Sequence, residues 1–275
     1  MEQLYVLGTG NATSVRSFNT CFALREGEDI LLTDTGGGNG LLLRLEEMGL
    51  SLRDIHHVFL SHAHMDHCLG ALWIIRVLSV PMAKGDYTEP LYVYGHQEVL
   101  DVLDSMCRML LRPKFYKMIG RYIFFVPVRD GERRSIAGWD VTFFDIGSKK
   151  TLQYGYRLTL RSGKTLVFAG DEPMKRKTWE TARGADWLLR EVLCCHAEQE
   201  RFHAYEKKHD TVKDACEQAA ELGVKHLVLW HVEDQTEKTV RKEKYLAEGA
   251  QWLAGCETPP ALYVPDDGDV IPLSI

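Results

Sequence analysis

One seven-residue stretch, Ser61-His62-Ala63-His64-Met65-Asp66-His67, constrains this chain more than any other feature. It follows the apolar run Ile55 to Leu60, which reads as a buried strand. It precedes Cys68 to Val80, whose periodicity predicts a helix that Pro81 stops. In an extended segment, residues two apart project to the same side, so His62 and His64 can close on one ion. Asp66 and His67 fall where the chain turns into the helix and can face a second ion beside the first. A lone histidine is usually structural, but three histidines and an aspartate within six residues, between a strand and a helix, read as metal ligands. Imidazole with carboxylate suits zinc, manganese or iron rather than calcium.

The rest of the chain supplies a frame for such a site. Leu4 to Leu7, Cys21 to Leu24 and Ile30 to Thr33 read as short strands. The glycine-dense Thr33 to Gly40 turn then leads into a helical run over Leu41 to Met48. In the second half, Val141 to Ile146, Tyr154 to Leu160 and Thr165 to Phe168 read as strands, with Ser162-Gly163 turning the last pair. Trp187 to Cys194 is another strand, Thr211 to Leu222 a helix ended by Gly223, and His226 to Trp230 a final strand. Strands followed by helices, twice over, predict an α/β protein built as an αββα sandwich, one unit across residues 1–275.

Charge narrows the function classes. A net charge of −6 argues against a nucleic-acid binder that works by bulk attraction. Residues 107–134 depart from it, with eight basic residues against two acids and with Phe115, Tyr116 and Tyr122 interleaved. A solvated face is the plain reading of such a run; a phosphate-tracking surface beside the active site is the sharper one. Seven cysteines with no CxxC pair argue against a disulfide framework and for a reducing compartment. The N-terminus, MEQLYVLGTG, reads as a first strand and no apolar run approaches the ~18 residues of a membrane span, so a cytoplasmic protein with no membrane partner is expected.

The stretch HAHMDH resembles the HxHxDH signature of the metallo-β-lactamase superfamily, and the resemblance runs through nearly the whole chain. Leu7 to Gly10 and Thr33 to Gly38 look like its opening strand and its Asp-Gly turn under the metals. Phe168-Ala169-Gly170-Asp171 looks like its strand-terminal Gly-Asp, and Leu227 to His231 like its last strand-terminal histidine. The resemblance implies Asp171 as a carboxylate bridging two ions and His231 as a further ligand. Within the superfamily the order of Leu189 to Glu191, His209-Asp210-Thr211 and Leu227 to His231 is similar to that of ribonuclease Z-like proteins. On that resemblance Glu191 pairs with His209, which lies near the scissile phosphate; Asp210 and Thr211 also read simply as helix caps.

Two departures stand out. Asp210 puts a negative charge where the family has a serine, and Gly147 stands where the third histidine of the first ion is expected. The resulting expectation is a hydrolase holding one or two Zn2+ ions, with manganese or iron as alternatives, on His62, His64, Asp66, His67, Asp171 and His231. Asp66 would orient or deprotonate water, with Glu191 and His209 assisting the leaving group. The substrate expected is a small-molecule or nucleic-acid phosphodiester. A small ester, lactone or thioester is the alternative, as is a catalytically weak ligand-binding protein, and a homodimer is left open.

Overall fold

The computed structural model describes residues 1–274; Ile275, which the sequence reading places in the same unit, lies outside the described residues. The first half runs through β1 (Gln3–Gly8), β2 (Cys21–Glu26), β3 (Asp29–Thr33), α1 (Gly40–Glu47), β4 (His57–Phe59) and α2 (Met65–Lys84). It continues through β5 (Leu91–Gly95), α3 (Gln97–Leu110), α4 (Pro113–Tyr116) and β6 (Ile123–Pro127). The second half comprises β7 (Arg133–Ile136), β8 (Trp139–Asp145), β9 (Tyr154–Thr159), β10 (Thr165–Phe168), α5 (Trp179–Ala182), β11 (Trp187–Glu191) and α6 (Gln199–Phe202). Then come α7 (Val212–Glu221), β12 (His226–Trp230), α8 (Lys238–Leu253), β13 (Ala261–Tyr263) and β14 (Val270–Pro272).

Among the described residues the strands form two seven-stranded sheets, ordered β14-β1-β2-β3-β4-β5-β6 and β13-β12-β11-β10-β9-β8-β7. Alternation along the strands divides their apolar side chains between two faces. The inner faces bring Phe22, Phe59, Phe143, Tyr156, Phe168, Trp187 and Trp230 into one buried layer. Phe22 stacks on Trp230 at 4.7 Å, and Phe59 on Phe143 at 5.3 Å, across the sandwich. The outer face of the first sheet is covered by Leu41 and Leu45 of α1, Ile74 and Leu78 of α2, and Val99 and Leu103 of α3. That of the second is covered by Ala182 of α5, Ala215 and Ala219 of α7, and Tyr245 and Leu253 of α8. The layering is the αββα sandwich that the sequence predicts.

Two of the boundaries that differ from that prediction have a reason in the packing or pairing. Pro81 does not stop α2, which continues to Lys84 and ends at Gly85 in the left-handed conformation, φ +82°. Proline removes one helix hydrogen bond, but the following Met82 is only 2% exposed, and its burial keeps the last turn in place. Strand β11 ends at Glu191 rather than Cys194, because the next residues pair elsewhere: Leu193 donates to the Asp210 carbonyl at 2.9 Å, and Val212 to that of Cys194 at 3.1 Å. Helix α2 is long and apolar enough to cross a membrane by composition, yet its first turn carries Asp66 and His67 and its apolar side packs in the core.

Parallel pairing of β3-β4-β5 in one sheet and β10-β11-β12 in the other decides where the chemistry lies. Parallel strands share one C-terminal edge, and ligand sites in such sheets form outside it. Asp34, the Ser61–His67 stretch, Asp171, Glu191 and His231 all follow or close these strands.

Candidate metal centre

Asp34, immediately after β3, organises the histidines. Its Oδ1 accepts the Ser61 backbone N–H at 2.8 Å, and its Oδ2 accepts the Ser61 hydroxyl at 2.7 Å and Nδ1–H of His67 at 2.8 Å. Since Ser61 donates to Asp34, its oxygen accepts from His62 Nδ1 at 2.9 Å. A single buried carboxylate thereby fixes the proton of His67 and of His62 on Nδ1 and turns both Nε2 lone pairs toward the cluster. Asp34 holds this position at φ +54°, a conformation that Asp tolerates better than most residues.

The freed atoms converge. Asp171, just past β10, places Oδ2 3.6 Å from His62 Nε2, 3.3 Å from His67 Nε2 and 3.5 Å from His231 Nε2. Asp66 Oδ2 lies 3.2 Å from His67 Nε2 and 3.9 Å from His231 Nε2. His64, exposed at the mouth, has Nδ1 2.9 Å from His62 Nε2. These atoms form two overlapping groups, His62–His64–Asp171 and Asp66–His67–His231, with Asp171 Oδ2 between them. Donors at 2.0–2.1 Å from a tetrahedral zinc are separated by roughly 3.4 Å, which is the spacing found here.

A chemical test agrees with the spacing. His67 Nε2 and both ring nitrogens of His231 are buried without a hydrogen-bond partner. Stranding such atoms is unfavourable, and a divalent cation would take the lone pair of His67 Nε2 and that of one His231 nitrogen. Electrostatics points the same way. Burial by itself would raise Asp171, but His62, His67 and His231 outweigh it and hold the carboxyl well below its usual range. Burial likewise raises Asp66, and His67 and His231 override it in the same direction. Both carboxylates are therefore ionised and ready to balance cationic charge.

The remaining proposed site residues, Glu191 and His209, lie at this edge as well. Glu191 closes β11, and its Oε2 accepts from His209 Nδ1 at 3.2 Å, while its Oε1 accepts the Asp210 N–H at 2.9 Å. Burial lowers the His209 pKa and Lys150 works the same way, yet the Glu191 carboxylate prevails and the net shift is upward. The His209 ring lies 5.0 Å from that of His231, which links the pair to the cluster. Asp210 does not present its charge to the site: its carboxylate binds the fully buried Arg190, which also donates to Gln218 and to the Glu172 carbonyl. Burial, then the nearby Glu191, outweigh Arg190 and push the Asp210 pKa up to about 6.

Gly147 is a different matter. It adopts φ +80°, and a Cβ built on it would meet Lys177 Cε at 2.5 Å. In this conformation the position is directed at Lys177. The neighbouring loop reaches the cluster through Gln153 instead, whose buried amide bonds Asp171 Oδ1 and accepts the Asp171 N–H at 3.1 Å. Sequence reading missed Gln153 and gave Asp34 no role; the Asp-Gly turn was the only signal for Asp34, and Gln153 had none.

The first part of the basic segment, around α4, lies elsewhere, whereas Asp130 near its end accepts the Asp145 N–H at 3.0 Å. Lys114 and Lys117 border a shallow cavity with Val80 and Lys84 of α2, and the Arg76 guanidinium sits 4.5 Å over the Phe115 ring. At ~1.5 Å of rise per residue, Arg76 and Lys84 are roughly 14 and 26 Å along α2 from His67. The larger cavity, of about 740 Å³, opens on His209 and His231 and is walled by Asn11 to Thr13, Arg16, Lys150, Phe202 and Lys207. No residue of the 107–134 segment lines it.

An αββα sandwich with two carboxylates and four imidazoles gathered at one edge, beside a carboxylate–imidazole pair, defines a metal-dependent hydrolase. A family model described as a beta-lactamase superfamily domain matches residues 30–232, and the chain belongs to that superfamily. Ribonuclease Z of Saccharolobus islandicus is 26% identical, over 86% of this chain and 92% of its own length. The metallo-beta-lactamase fold protein YhfI from Bacillus subtilis superposes with a TM-score of 0.77 at 18% identity, covering 98% of each chain. The short form of human tRNase Z superposes with a TM-score of 0.72 at 19% identity, covering 99% of this chain and 100% of its own. The fold implies divalent metal, and the donor set fits it.

Proposed function

We propose that this chain is a ribonuclease Z-like phosphodiesterase, with His62, His64, Asp66, His67, Asp171 and His231 holding one or two zinc ions. The observation that carries the reading is the Glu191–His209 pair, set against His231 and opening on a cavity whose wall carries Arg16, Lys150 and Lys207 alongside Glu233 and Asp234. Relatives named ribonuclease Z support the same substrate class. Zinc takes precedence over manganese or iron because imidazoles dominate the donor set. Bound ions supply Lewis acidity, polarising the phosphoryl group and activating water at neutral pH.

The protein's own groups do the rest. Asp66 stays ionised and orients the water or takes its proton. His209, tied through Nδ1 to Glu191, keeps Nε2–H for the cavity and delivers a proton to the leaving oxygen. Glu191 holds that ring in position and favours its protonated form. Seven free cysteines, six of them buried, support a reducing, cytoplasmic setting.

The test compares bis(p-nitrophenyl) phosphate with p-nitrophenyl acetate on protein stripped of metal and reloaded with zinc. Zinc-dependent cleavage of the diester, well above that of the acetate, is the expected result. Cleavage of the acetate alone would move the assignment to small esters, lactones or thioesters.

A further inference from the structure

The loop between β8 and β9 lost its expected histidine to Gly147, yet it still reaches the reaction cavity. Ser148 donates to Glu172 Oε1 at 2.9 Å, and Gln153 holds Asp171, so both ends of the loop are anchored to the segment that follows β10. Between them Lys150 crosses toward the loop before His209. Its Nζ donates to the Lys207 carbonyl at 2.5 Å and lies 3.7 Å from Glu172 Oε1. The side chain is 30% exposed and shares the cavity wall with His209 and His231.

We infer that Lys150 is the specificity-determining residue of this site, its ammonium contacting a non-bridging oxygen of the substrate's phosphate. The inference rests on the phosphodiesterase reading and names the group that selects an anion. Three observations carry it. An ammonium has three N–H donors, and one of them is committed to the Lys207 carbonyl, so others remain for a ligand. That same bond pre-positions a long, flexible side chain, so less conformational freedom is lost when an anion binds.

Of the other charges around the cavity, Arg16 and two carboxylates are already engaged, and Lys207 meets Lys150 through its carbonyl. Arg16 donates to the Asp234 and Gln235 carbonyls. Asp234 Oδ2 accepts the Val15 and Arg16 N–H groups, and Glu233 Oε2 those of Gln235 and Thr236. Those carboxylates close turns in the cavity wall. Lys150 is thus the tethered cation next to His209, in a protein whose net charge of −6 offers anions no general attraction. A neutral ester has no non-bridging anionic oxygen for it to meet.

The test uses Lys150→Met, which keeps length and apolar stem, and Lys150→Arg, which keeps charge, each reloaded with zinc and checked for metal content. Binding of inorganic phosphate is measured by calorimetry, and KM and kcat with bis(p-nitrophenyl) phosphate. Losing a charge-assisted hydrogen bond should weaken phosphate binding and raise KM about ten-fold in Lys150→Met. Metal content should stay the same, and Lys150→Arg should recover most of the loss. Unchanged phosphate binding in Lys150→Met, or a fall in kcat and thermal stability with KM constant, would reduce Lys150 to a loop staple and overturn the inference. Failure of wild-type protein to bind phosphate overturns it as well. The two claims separate cleanly. Lys150-dependent phosphate binding without diester cleavage removes the phosphodiesterase reading alone, whereas diester cleavage indifferent to Lys150 removes only this inference.

Discussion

Asp34 fixes the tautomers of two imidazoles at once, directly at His67 and through the Ser61 hydroxyl at His62. Groups that orient metal-binding histidines typically contribute ~10–100-fold in affinity. Asp34→Ala is expected to weaken zinc binding within that range, and Ser61→Ala to weaken it less, acting on His62 alone. Competition with a chromogenic chelator measures both. Equal losses in the two variants would show that the hydroxyl, not the carboxylate, is the organising group. At Gly147 a larger side chain would meet Lys177. Histidine there must adopt φ +80° and displace Lys177, so Gly147→His should lose about 1–2 kcal/mol of stability. It should gain no metal. Urea denaturation and metal stoichiometry read the two effects, and a second equivalent of bound zinc would show that the loop refolds to offer the ring.

Helix α2 carries Asp66 and His67 in its first turn, so its seating on the Thr35–Gly36 turn sets the geometry of the cluster. Gly70 is the contact. A Cβ there would lie 2.0 Å from the Thr35 carbonyl oxygen, and the Gly70 N–H donates to the Gly36 carbonyl at 3.0 Å. No rotamer relieves a clash with backbone, so Gly70→Ala must lift the helix. A loss of about 1–3 kcal/mol is expected from overpacking of this kind. Zinc affinity should fall with it, because Asp66 and His67 move together. Denaturation alongside chelator competition gives the answer; loss of stability with metal affinity intact would mean that the first turn is held by the ligands and not by helix packing.

Across the whole molecule, charge is distributed differently from what the linear sequence invites. Residues 107–134 hold eight basic side chains against two acids, but α4, which carries Lys114, docks on the far half of α2, away from the cavity at His209 and His231. Neutralising Lys114 and Lys117 together should therefore leave KM for a short single-stranded RNA, and its salt dependence, unchanged within about two-fold. A KM that rises with a flatter salt response would place a second nucleic-acid contact on that face. The cations that matter are brought to the cavity by three separated segments, at Arg16, Lys150 and Lys207. None of the three belongs to the 107–134 segment.

The layer architecture was legible in the chain, as were the strand ends and the six histidine and aspartate side chains that the fold gathers at one edge. Those are local properties: apolar alternation sets strands, and the His-Ala-His-Met-Asp-His spacing sets one face of an extended segment and the first turn of a helix. The Glu191–His209 pair was legible only through order along the chain, as a resemblance, and β11 and the start of α7 do bring the two together. Other features were decided by tertiary structure alone. Gln153 reaches Asp171, Arg190 neutralises the charge of Asp210, and Lys150 turns toward His209 because segments far apart in sequence meet at one edge of two sheets. Hydrogen bonds and charge pairing act through space at ångström range, so a partner supplied by another strand or loop leaves no periodic trace in the chain that carries it.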